Sequence, residues 1–423
     1  MSTASSRRPF QAYSALAGAM LVYFAGCGNI VYSFGVFLPL MCDEFGWTRA
    51  TVGGAYSLMV VLMGVLGPVA GFSVTRFGTR KNIVFGNLVC ALGLAGLSVI
   101  GDVWQLYLFF GVAVGVGGSF GLLIPSATVA SNWFENRSSF AVGLVLAAGG
   151  IGGLAVPPIV SEINVNIGWQ TGWLVLAGLH VVLAVFIAGL LVGDKPEQLE
   201  PFAGGPTGQE ASQTTSRSPM AYKTAVDWGT NAALRTTAFW LVALIGAAHL
   251  FAVNTVLPHQ VAYIEDMGFS PLAAASALGV LPGMSIVGRL FFGPLEMRLE
   301  VRHIATVFLT GMLIAVLVLH IADSLTSIYI YAVLFGTCYG VVAVARPALL
   351  IAFFGRKNFA HILGWHLMIA TLVGAPASPI AGLIHDATGS YSVAFFVTIA
   401  VLAVGIVSSL VCKSPQVKER NPS

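Results

Sequence analysis

The residue best suited to chemistry is an arginine in the middle of an apolar stretch. Arg289 lies within LPGMSIVGRLFFGPLEMRLEVR, residues 281–302, which follows an apolar run that begins near Pro271. In a helix that enters a bilayer at Pro271, Arg289 would lie roughly 27 Å along the axis, inside the hydrocarbon region. An arginine there costs at least ~2.5 kcal/mol and normally faces a cavity. Because a guanidinium keeps its charge and presents several donors, Arg289 predicts an organic-anion site; the alternative is a structural ion pair or helix cap.

A second cation, Arg346, directly precedes Pro347 in another apolar run. It is a possible second anion contact, because a doubly charged substrate would use both arginines. The alternative, which we favour slightly, ties Arg346 to the backbone carbonyls that Pro347 leaves without a donor. Tyr339, seven residues before Arg346, is expected to face a central cavity and to donate a hydrogen bond to a substrate.

Two titratable residues precede the Arg289 segment, and both are candidates for proton coupling. His259 and Asp266 are seven residues apart, about two helical turns, so they share a face. Imidazole exchanges a proton near neutral pH, which also makes His259 a candidate substrate contact; the alternative is a packing histidine. Asp266 would lie ~34 Å along the helix from Arg289, so it reaches that site only if the chain folds inward. Otherwise it is a solvated loop acid.

The first apolar segment supplies two further candidates for substrate binding. Asn29 and Tyr32 are spaced i, i+3 and would share one face of a helix. They are plausible cavity residues, and packing residues are the alternative.

The composition identifies the kind of molecule that holds these side chains. The chain has 423 residues, of which 57% are hydrophobic and 9% charged, whereas a soluble domain has about 25% charged residues. The fold class is therefore an all-α polytopic membrane protein. The five cysteines form no CxxC motif or His/Cys cluster, so we expect neither a metal site nor a cofactor.

Twelve apolar segments are long enough to cross a bilayer. We number them spans 1 to 12, and their approximate limits are 12–40, 51–74, 82–100, 104–130, 139–162, 170–192, 238–264, 271–296, 303–322, 326–354, 359–384 and 390–412. The predicted domains are an N-terminal six-helix bundle (1–192), a cytoplasmic linker with an amphipathic segment (193–236), a C-terminal six-helix bundle (237–412) and a cytoplasmic tail (413–423).

Charge predicts the orientation of these spans. All but three of the 20 Lys and Arg residues fall in connectors on one side; Arg49 is on the other side, and Arg289 and Arg346 lie within spans. The positive-inside rule then places both termini in the cytoplasm, and we expect a multi-pass protein of the cell inner (plasma) membrane.

The two halves repeat at an offset of 222 residues. After span 2 comes GFSVTRFGTRK (71–81), and after span 8 comes GPLEMRLEVRH (293–303), with Gly, two Arg and a final basic residue in register. Pro125 in span 4 and Pro347 in span 10 share this offset. A transporter of two related halves with a site between them is the expected consequence.

These features resemble the major facilitator superfamily, through the motif after span 2. Five stretches resemble its monocarboxylate transporter and oxalate/formate antiporter branch, bacterial members included: WFENRSSFAVG (133–143), ALRTTAFW (233–240), HQVAYIEDMGFSP (259–271), SIVGR (285–289) and GLIHDATGSY (382–391). The resemblance implies the major facilitator fold, with 12 transmembrane helices in two six-helix halves. It also implies that Arg289 binds the substrate carboxylate. Animal members often have an Asp four residues earlier, where this chain has Ser285, so proton coupling is carried over to Asp266 and His259 as in bacterial-type members.

Four classes of function can be compared with these features of the sequence. The first is proton symport of a small monocarboxylate such as lactate or pyruvate, by alternating access; the second is an oxalate/formate-type organic anion exchanger. An intramembrane enzyme is not expected, because the acids near spans, Glu162, Glu265, Asp266 and Asp386, lie close to span ends and no HExxH or GxSxG motif occurs. A receptor without transport has no signalling domain to support it. The expected partners are the anion, the proton and the lipid bilayer, with no nucleic acid and no obligate protein partner.

Overall fold

The computed structural model describes residues 3–134, 138–192, 227–355 and 358–415, and most of these residues are helical. Helices occur at all twelve predicted spans. In chain order they are Thr3–Gly26, Cys27–Tyr32 and Phe34–Phe45; Arg49–Val65 and Gly67–Phe77; Thr79–Leu97; Val103–Leu106, Tyr107–Val114, Gly115–Gly121 and Leu123–Trp133; Ser138–Asn166; Trp169–Val182, Leu183–Ile187 and Ala188–Leu190; Thr237–Asp266; Pro271–Glu296; Val301–His320; Leu325–Phe354; Phe359–Gly374 and Ala377–Thr388; and Ser392–Val411.

Not every span is a single uninterrupted apolar helix. Within the described residues, nine helices are long and apolar enough to cross a membrane, or ten if Arg49–Val65 and Gly67–Val74, which meet at 47°, form one span. The remaining two, spans 3 and 6, still form helices where they are predicted. Span 3 begins with the polar residues Thr79 to Asn82, and span 6 is interrupted by the π-helical turn Leu183–Ile187.

Local sequence explains where the helices nearest the site begin. The Ser270 side chain accepts a hydrogen bond from the backbone N–H of Ala273, and Pro271 occupies the first helical position of span 8. Thr48 accepts from the N–H of Thr51 in the same way and starts span 2. These caps place Arg49 at the first turn of span 2, at the same end of the molecule as the start of span 8. We call this end the Arg49 end, and the opposite end the linker end.

The repeat predicted from the sequence reappears in the contacts of two arginines. Arg80, after span 2, donates to the carbonyl oxygen of Gly189 at the end of span 6. Arg302, its counterpart after span 8, donates to the carbonyl oxygen of Cys412 at the end of span 12, at 3.5 Å. The turn before Arg80 requires a glycine at position 78, because Gly78 has φ +89°, a backbone conformation that other residues rarely adopt. Each arginine therefore ties together the linker-end termini of its own half.

The two six-helix halves meet mainly along three pairs of spans: 1 with 7, 2 with 11, and 5 with 8; span 2 also touches span 7, and span 1 touches span 8. Small residues allow close approach at the Arg49 end, where a Cβ on Gly382 of span 11 would lie 2.3 Å from the backbone nitrogen of Ala50. At the linker end, by contrast, a Cβ on Gly143 of span 5 or Gly364 of span 11 would meet nothing within 4 Å. The halves are therefore closed against each other at the Arg49 end.

The predicted amphipathic segment of the linker, AYKTAVDWGTNAALRTTAFW (221–240), is described from Asp227 onward. From Asp227 onward the chain forms one short helix, Thr230–Leu234, and span 7 begins at Thr237. The expected surface helix through Trp240 is wrong in this part, because the Thr236 side chain caps the N–H of Phe239 and starts a new helix there. Trp228 instead docks on span 10, where its backbone N–H donates to the carbonyl oxygen of Phe354 at 3.0 Å.

Candidate functional site

Arg289 lies in the second half of span 8 (Pro271–Glu296), on the side that meets span 5 of the other half. Its side chain is half-buried, and Nη1 donates to the carbonyl oxygen of Leu146 in span 5 at 2.9 Å. Among the described residues, this carbonyl is the one hydrogen-bond partner of Arg289. The remaining guanidinium donors are therefore available to an anion held between the halves.

Three tyrosines surround the Arg289 guanidinium. The phenols of Tyr23, Tyr32 and Tyr339 all interact electrostatically with it, and its central carbon lies 6.0 Å from the Tyr339 ring centroid. Tyr32 packs on span 5, since a Cβ on Gly153 would lie 2.6 Å from its ring. Span 1 thus contributes two phenols and span 10 one, and their hydroxyls can donate to the oxygens of a bound carboxylate. The predicted group of Arg289, Tyr32 and Tyr339 comes together in the structure.

His249 of span 7 extends this group on the far side of Tyr339. The two rings stack with centroids 5.4 Å apart and an interplanar angle of 8°. The Nε2–H of His249 donates to the Tyr339 backbone carbonyl at 3.3 Å, because a carbonyl oxygen can only accept. The ring is therefore fixed against span 10, and its Nδ1 has no partner within the described part of the chain.

Arg346 is buried, with 8% of its surface exposed. We expected its guanidinium to be held by carbonyls near Pro347, but Nε and Nη1 find no hydrogen-bond partner in the described residues, so that expectation fails for these two atoms. Its charge acts on His249 and on His366 of span 11, which is fully buried. Among the described residues, Arg346 is thus a second cation without an acidic partner, buried in the C-terminal half.

Asn29 is fully buried, and neither atom of its amide has a partner among the described residues. The segment Cys27–Tyr32 is a π-helical turn, which was not expected. Its i→i+5 hydrogen bonding widens the turn, so the i, i+3 spacing no longer aligns Asn29 with Tyr32. The argument that placed the two residues on one face therefore does not apply, although both are buried.

A separate polar cluster closes the Arg49 end. Arg49 of span 2 forms a two-point ion pair with Asp266 of span 7, with Nη1–Oδ2 and Nη2–Oδ1 distances of 2.5 and 2.6 Å. Asp386 of span 11 accepts from the backbone nitrogens of Arg49 and Ala50, at 3.1 and 3.0 Å. A carboxylate from one half therefore caps the first helix turn of a span in the other half.

The same cluster continues inward to His259. Arg49 donates to the Tyr391 hydroxyl at 3.2 Å, and that hydroxyl lies 2.9 Å from Nδ1 of His259. His259 Nε2 lies 2.9 Å from the carbonyl oxygen of Ser378, so Nε2 carries the proton. Because Tyr391 accepts from Arg49, it donates its own proton to Nδ1. A single hydrogen-bonded path thus runs from Asp266 through Arg49 and Tyr391 to His259.

The structure therefore separates the sequence candidates into two sites. Arg289, Tyr32 and Tyr339 form the central site, with His249 beside it, whereas His259 and Asp266 belong to the Arg49 cluster. His259 is ten residues after His249 on the same helix, roughly 15 Å away. Neither His259 nor Asp266 is in contact with Arg289.

Sequence reasoning missed Tyr391, His366, Tyr23 and the role of Arg49. Arg49 had a usable signal, because it is the one basic residue in the connectors of its side. The others had none, since a tyrosine or histidine in or beside an apolar run is most often a packing residue. The described residues contain no group of three or more His, Cys, Asp or Glu side chains that could hold a metal ion.

Comparison with known proteins gives concordant matches. The family model described as Major Facilitator Superfamily matches residues 16–322 and, in a second match, residues 284–423. The chain is 25% identical to Monocarboxylate transporter 13 of Rattus norvegicus, over 89% of this chain and 83% of that protein. It is 26% identical to Monocarboxylate transporter 4 of Rattus norvegicus, over 85% and 74%. It is 25% identical to Monocarboxylate transporter 2 of Homo sapiens, over 84% and 76%.

The fold also matches a solved structure. That structure is a bacterial homologue of the human lysosomal transporter Spinster, in an inward-facing and occupied conformation. The TM-score is 0.73 at 14% sequence identity, and the match covers 94% of this chain and 96% of the other. At this identity the likeness concerns the arrangement of the helices.

Proposed function

The chain belongs to the major facilitator superfamily, and from that membership we propose that it carries a small monocarboxylate, such as lactate or pyruvate, across a membrane together with a proton. The proposal draws on relatives that are named monocarboxylate transporters. It is a proposal of transport and not of catalysis. The substrate would be bound without covalent chemistry and released unchanged on the other side.

The observation that carries the proposal is the placement of Arg289. The guanidinium lies between the halves with one nitrogen bonded to Leu146 and the others available to a carboxylate. One fixed cation matches one carboxylate, and the phenols of Tyr32 and Tyr339 can complete the hydrogen bonds of its oxygens. An arginine held within a span, without an acidic partner among the described residues, is costly, which supports a binding role.

Alternating access would follow from rocking of the two halves around this site. The Arg49 end is closed by the Arg49–Asp266 pair and by the close approach of Gly382 to Ala50. We place the linker end and both termini in the cytoplasm, following the positive charge of the connectors, and we place the protein in the plasma (cell inner) membrane. The structure would then represent the inward-facing state.

We assign proton coupling to the Arg49 cluster. The Arg49–Asp266 pair joins the two halves, so opening this end must separate a carboxylate from its cation. Protonation of Asp266 removes that charge and lowers the cost of opening. In this proposal the proton passes between Asp266 and His259, and His259, joined to Arg49 through Tyr391, would act as the inner base.

One observation favours a second candidate, an oxalate/formate-type organic anion exchanger. Arg346 is a second buried cation whose Nε and Nη1 lack partners among the described residues, and a dianion could engage both arginines. An exchanger always returns loaded and needs no proton. Exchange is therefore distinguished from symport by its indifference to a proton gradient.

The first test is uptake of labelled lactate into proteoliposomes, with and without an inward proton gradient. Arg289→Lys is the informative variant, because an ammonium cannot bond Leu146 and grip a carboxylate at two points. Arg298→Lys is the matched control, since Arg298 is exposed after span 8. Gradient-driven uptake that is lost in Arg289→Lys and kept in Arg298→Lys would support the proposal.

Three other results would contradict it. Lactate and pyruvate uptake that is absent from a folded wild-type preparation would remove the leading substrates. Counterflow of oxalate or formate that proceeds without a gradient would instead favour the exchanger. Full transport activity in Arg289→Lys would contradict the assignment of Arg289 as the residue that binds the carboxylate.

A further inference from the structure

Three helices of the C-terminal half direct polar atoms without partners toward one region. The atoms are Nε and Nη1 of Arg346, both ring nitrogens of His366, and Nδ1 of His249. All three residues are at least nine-tenths buried, with 8%, 0% and 1% of their surface exposed. Buried polar groups are normally paired, and each unpaired one costs about 1–3 kcal/mol. Five such atoms in one region indicate a ligand.

The region adjoins the Arg289 site on the side of the linker end. His366 packs against Gly246, where a Cβ would lie 2.6 Å from its Cε1. Gly246 is one helical turn from His249, whose ring stacks on Tyr339. Arg346 is seven residues after Tyr339 on the same face of span 10, roughly 10 Å along the axis. The three side chains therefore begin at Tyr339 and continue away from Arg289.

The chemistry of these atoms can be read from their contacts. His249 donates through Nε2 to the Tyr339 carbonyl, so its Nδ1 is an acceptor in the neutral ring. His366 is buried beside the Arg346 charge without a carboxylate partner among the described residues, which disfavours a second cation. Its neutral ring offers one donor and one acceptor, and Arg346 offers two donors. The region therefore both donates and accepts hydrogen bonds.

We propose that Arg346, His366 and His249 form a second subsite that binds a hydroxyl group, and that the physiological substrate is a hydroxylated monocarboxylate longer than lactate. This inference rests on the proposed function and narrows its substrate class. A hydroxyl donates one proton and accepts from Arg346, so it can satisfy both kinds of group. A second carboxylate can only accept, and it would leave the acceptor nitrogens of both histidines facing its lone pairs.

The spacing sets the length of the substrate. The carboxylate would bind at Arg289, and the hydroxyl would bind one to two helical turns farther on, roughly 5–10 Å. A chain of about four to six carbons, at ~1.5 Å per bond, covers this distance once a hydrogen bond is added at each end. Arg346 contributes its charge at the same time, because a second cation strengthens the attraction for an anion in a medium of low dielectric.

The test compares three four-carbon acids that differ only in the distal group. The full-length protein is reconstituted in proteoliposomes, and the concentration that half-saturates uptake is measured for butyrate, 4-hydroxybutyrate and succinate. Wild type is expected to take 4-hydroxybutyrate roughly 10- to 100-fold better than butyrate, as a site with buried polar groups discriminates against an analogue that leaves them unpaired. His366→Leu should abolish this preference. His303→Leu, at an exposed position, is the matched control.

Each outcome bears on the subsite separately from the proposed function. Equal half-saturation for butyrate and 4-hydroxybutyrate in wild type would overturn the subsite while leaving carboxylate transport intact. A preference for succinate that is lost in Arg346→Met would show that the subsite binds a second carboxylate and would overturn the proposal that it binds a hydroxyl group. If none of the acids is transported by folded protein, the proposed function itself fails. His366→Gln keeps one donor and one acceptor, so it should retain part of the preference, and it serves if the leucine variant does not fold.

Discussion

Removal of the ion pair at the Arg49 end should shift the protein toward the state in which that end is open. Asp266→Asn keeps the shape of the side chain and removes its charge. The Arg49 and Asp266 side chains are 15% and 41% exposed, so solvent screens the pair in part. Its two-point geometry places it at the upper end of exposed pairs, at about 1 kcal/mol, which is about a fivefold change in the ratio of the two states.

The assay is a distance measurement between spin labels on the two halves. Gly101 is suitable in the N-terminal half, because a Cβ there meets nothing within 4 Å, and Ala387 is exposed at the Arg49 end of span 11. In Asp266→Asn, the population with the longer distance should grow about fivefold. Arg49→Met should act in the same direction, and the double variant should add less than the sum of the two single effects.

The control and the refuting results are also defined by the structure. Arg298→Met removes a charge at the linker end and should leave the distance distribution unchanged. A distribution in Asp266→Asn that equals that of wild type would show that the ion pair does not hold this end closed. Strict additivity of Arg49→Met and Asp266→Asn would show that the two residues act independently, and the assignment of proton coupling to their pair would then lose its basis.

Three further predictions follow from the same contacts. Arg289→Met should raise the half-saturation concentration for carboxylate uptake at least tenfold, because two-point charge-assisted bonding is lost. An unchanged half-saturation concentration would show that Arg289 does not bind the carboxylate. Gly382→Val should block closure of the Arg49 end, since its Cβ would lie 2.3 Å from the Ala50 nitrogen, whereas Gly143→Ala, with nothing within 4 Å, should transport normally in the same uptake assay. Tyr391→Phe should slow gradient-driven uptake more than counterflow, because it removes the hydroxyl between Arg49 and His259; equal slowing of both would contradict a role in proton movement.

The central site was predictable because membrane burial makes charge rare and therefore informative. Arg289 is conspicuous in an apolar segment, and Tyr339 was expected to face the central cavity from its position seven residues before Arg346. The composition and the spacing of apolar segments likewise predicted the helices and the two halves. These are properties of single segments, which a sequence displays directly.

Contacts between the halves could not be predicted in this way. Arg49 and Asp266 are 217 residues apart, and only the packing of span 2 beside spans 7 and 11 brings them together. The π-helical turn at Cys27–Tyr32 changes the rotation of span 1 without a clear sequence signal, so the helical spacing of Asn29 and Tyr32 was misleading. His366 was overlooked because a single histidine in an apolar run gives no indication of its neighbours.

The contact between spans 5 and 8 can also be considered as a mechanical fulcrum. Gly153 of span 5 meets Pro282 of span 8 so closely that a Cβ there would lie 2.5 Å from the proline ring. Pro282 is eleven residues from Pro271, so the lever arm to the Arg49 end is roughly 17 Å. A tilt of about 10° around this point moves that end by about 3 Å, as much as a hydrogen-bond length. Because Arg80 and Arg302 brace the linker-end termini within each half, such a small tilt would be transmitted across the membrane with little loss to internal bending.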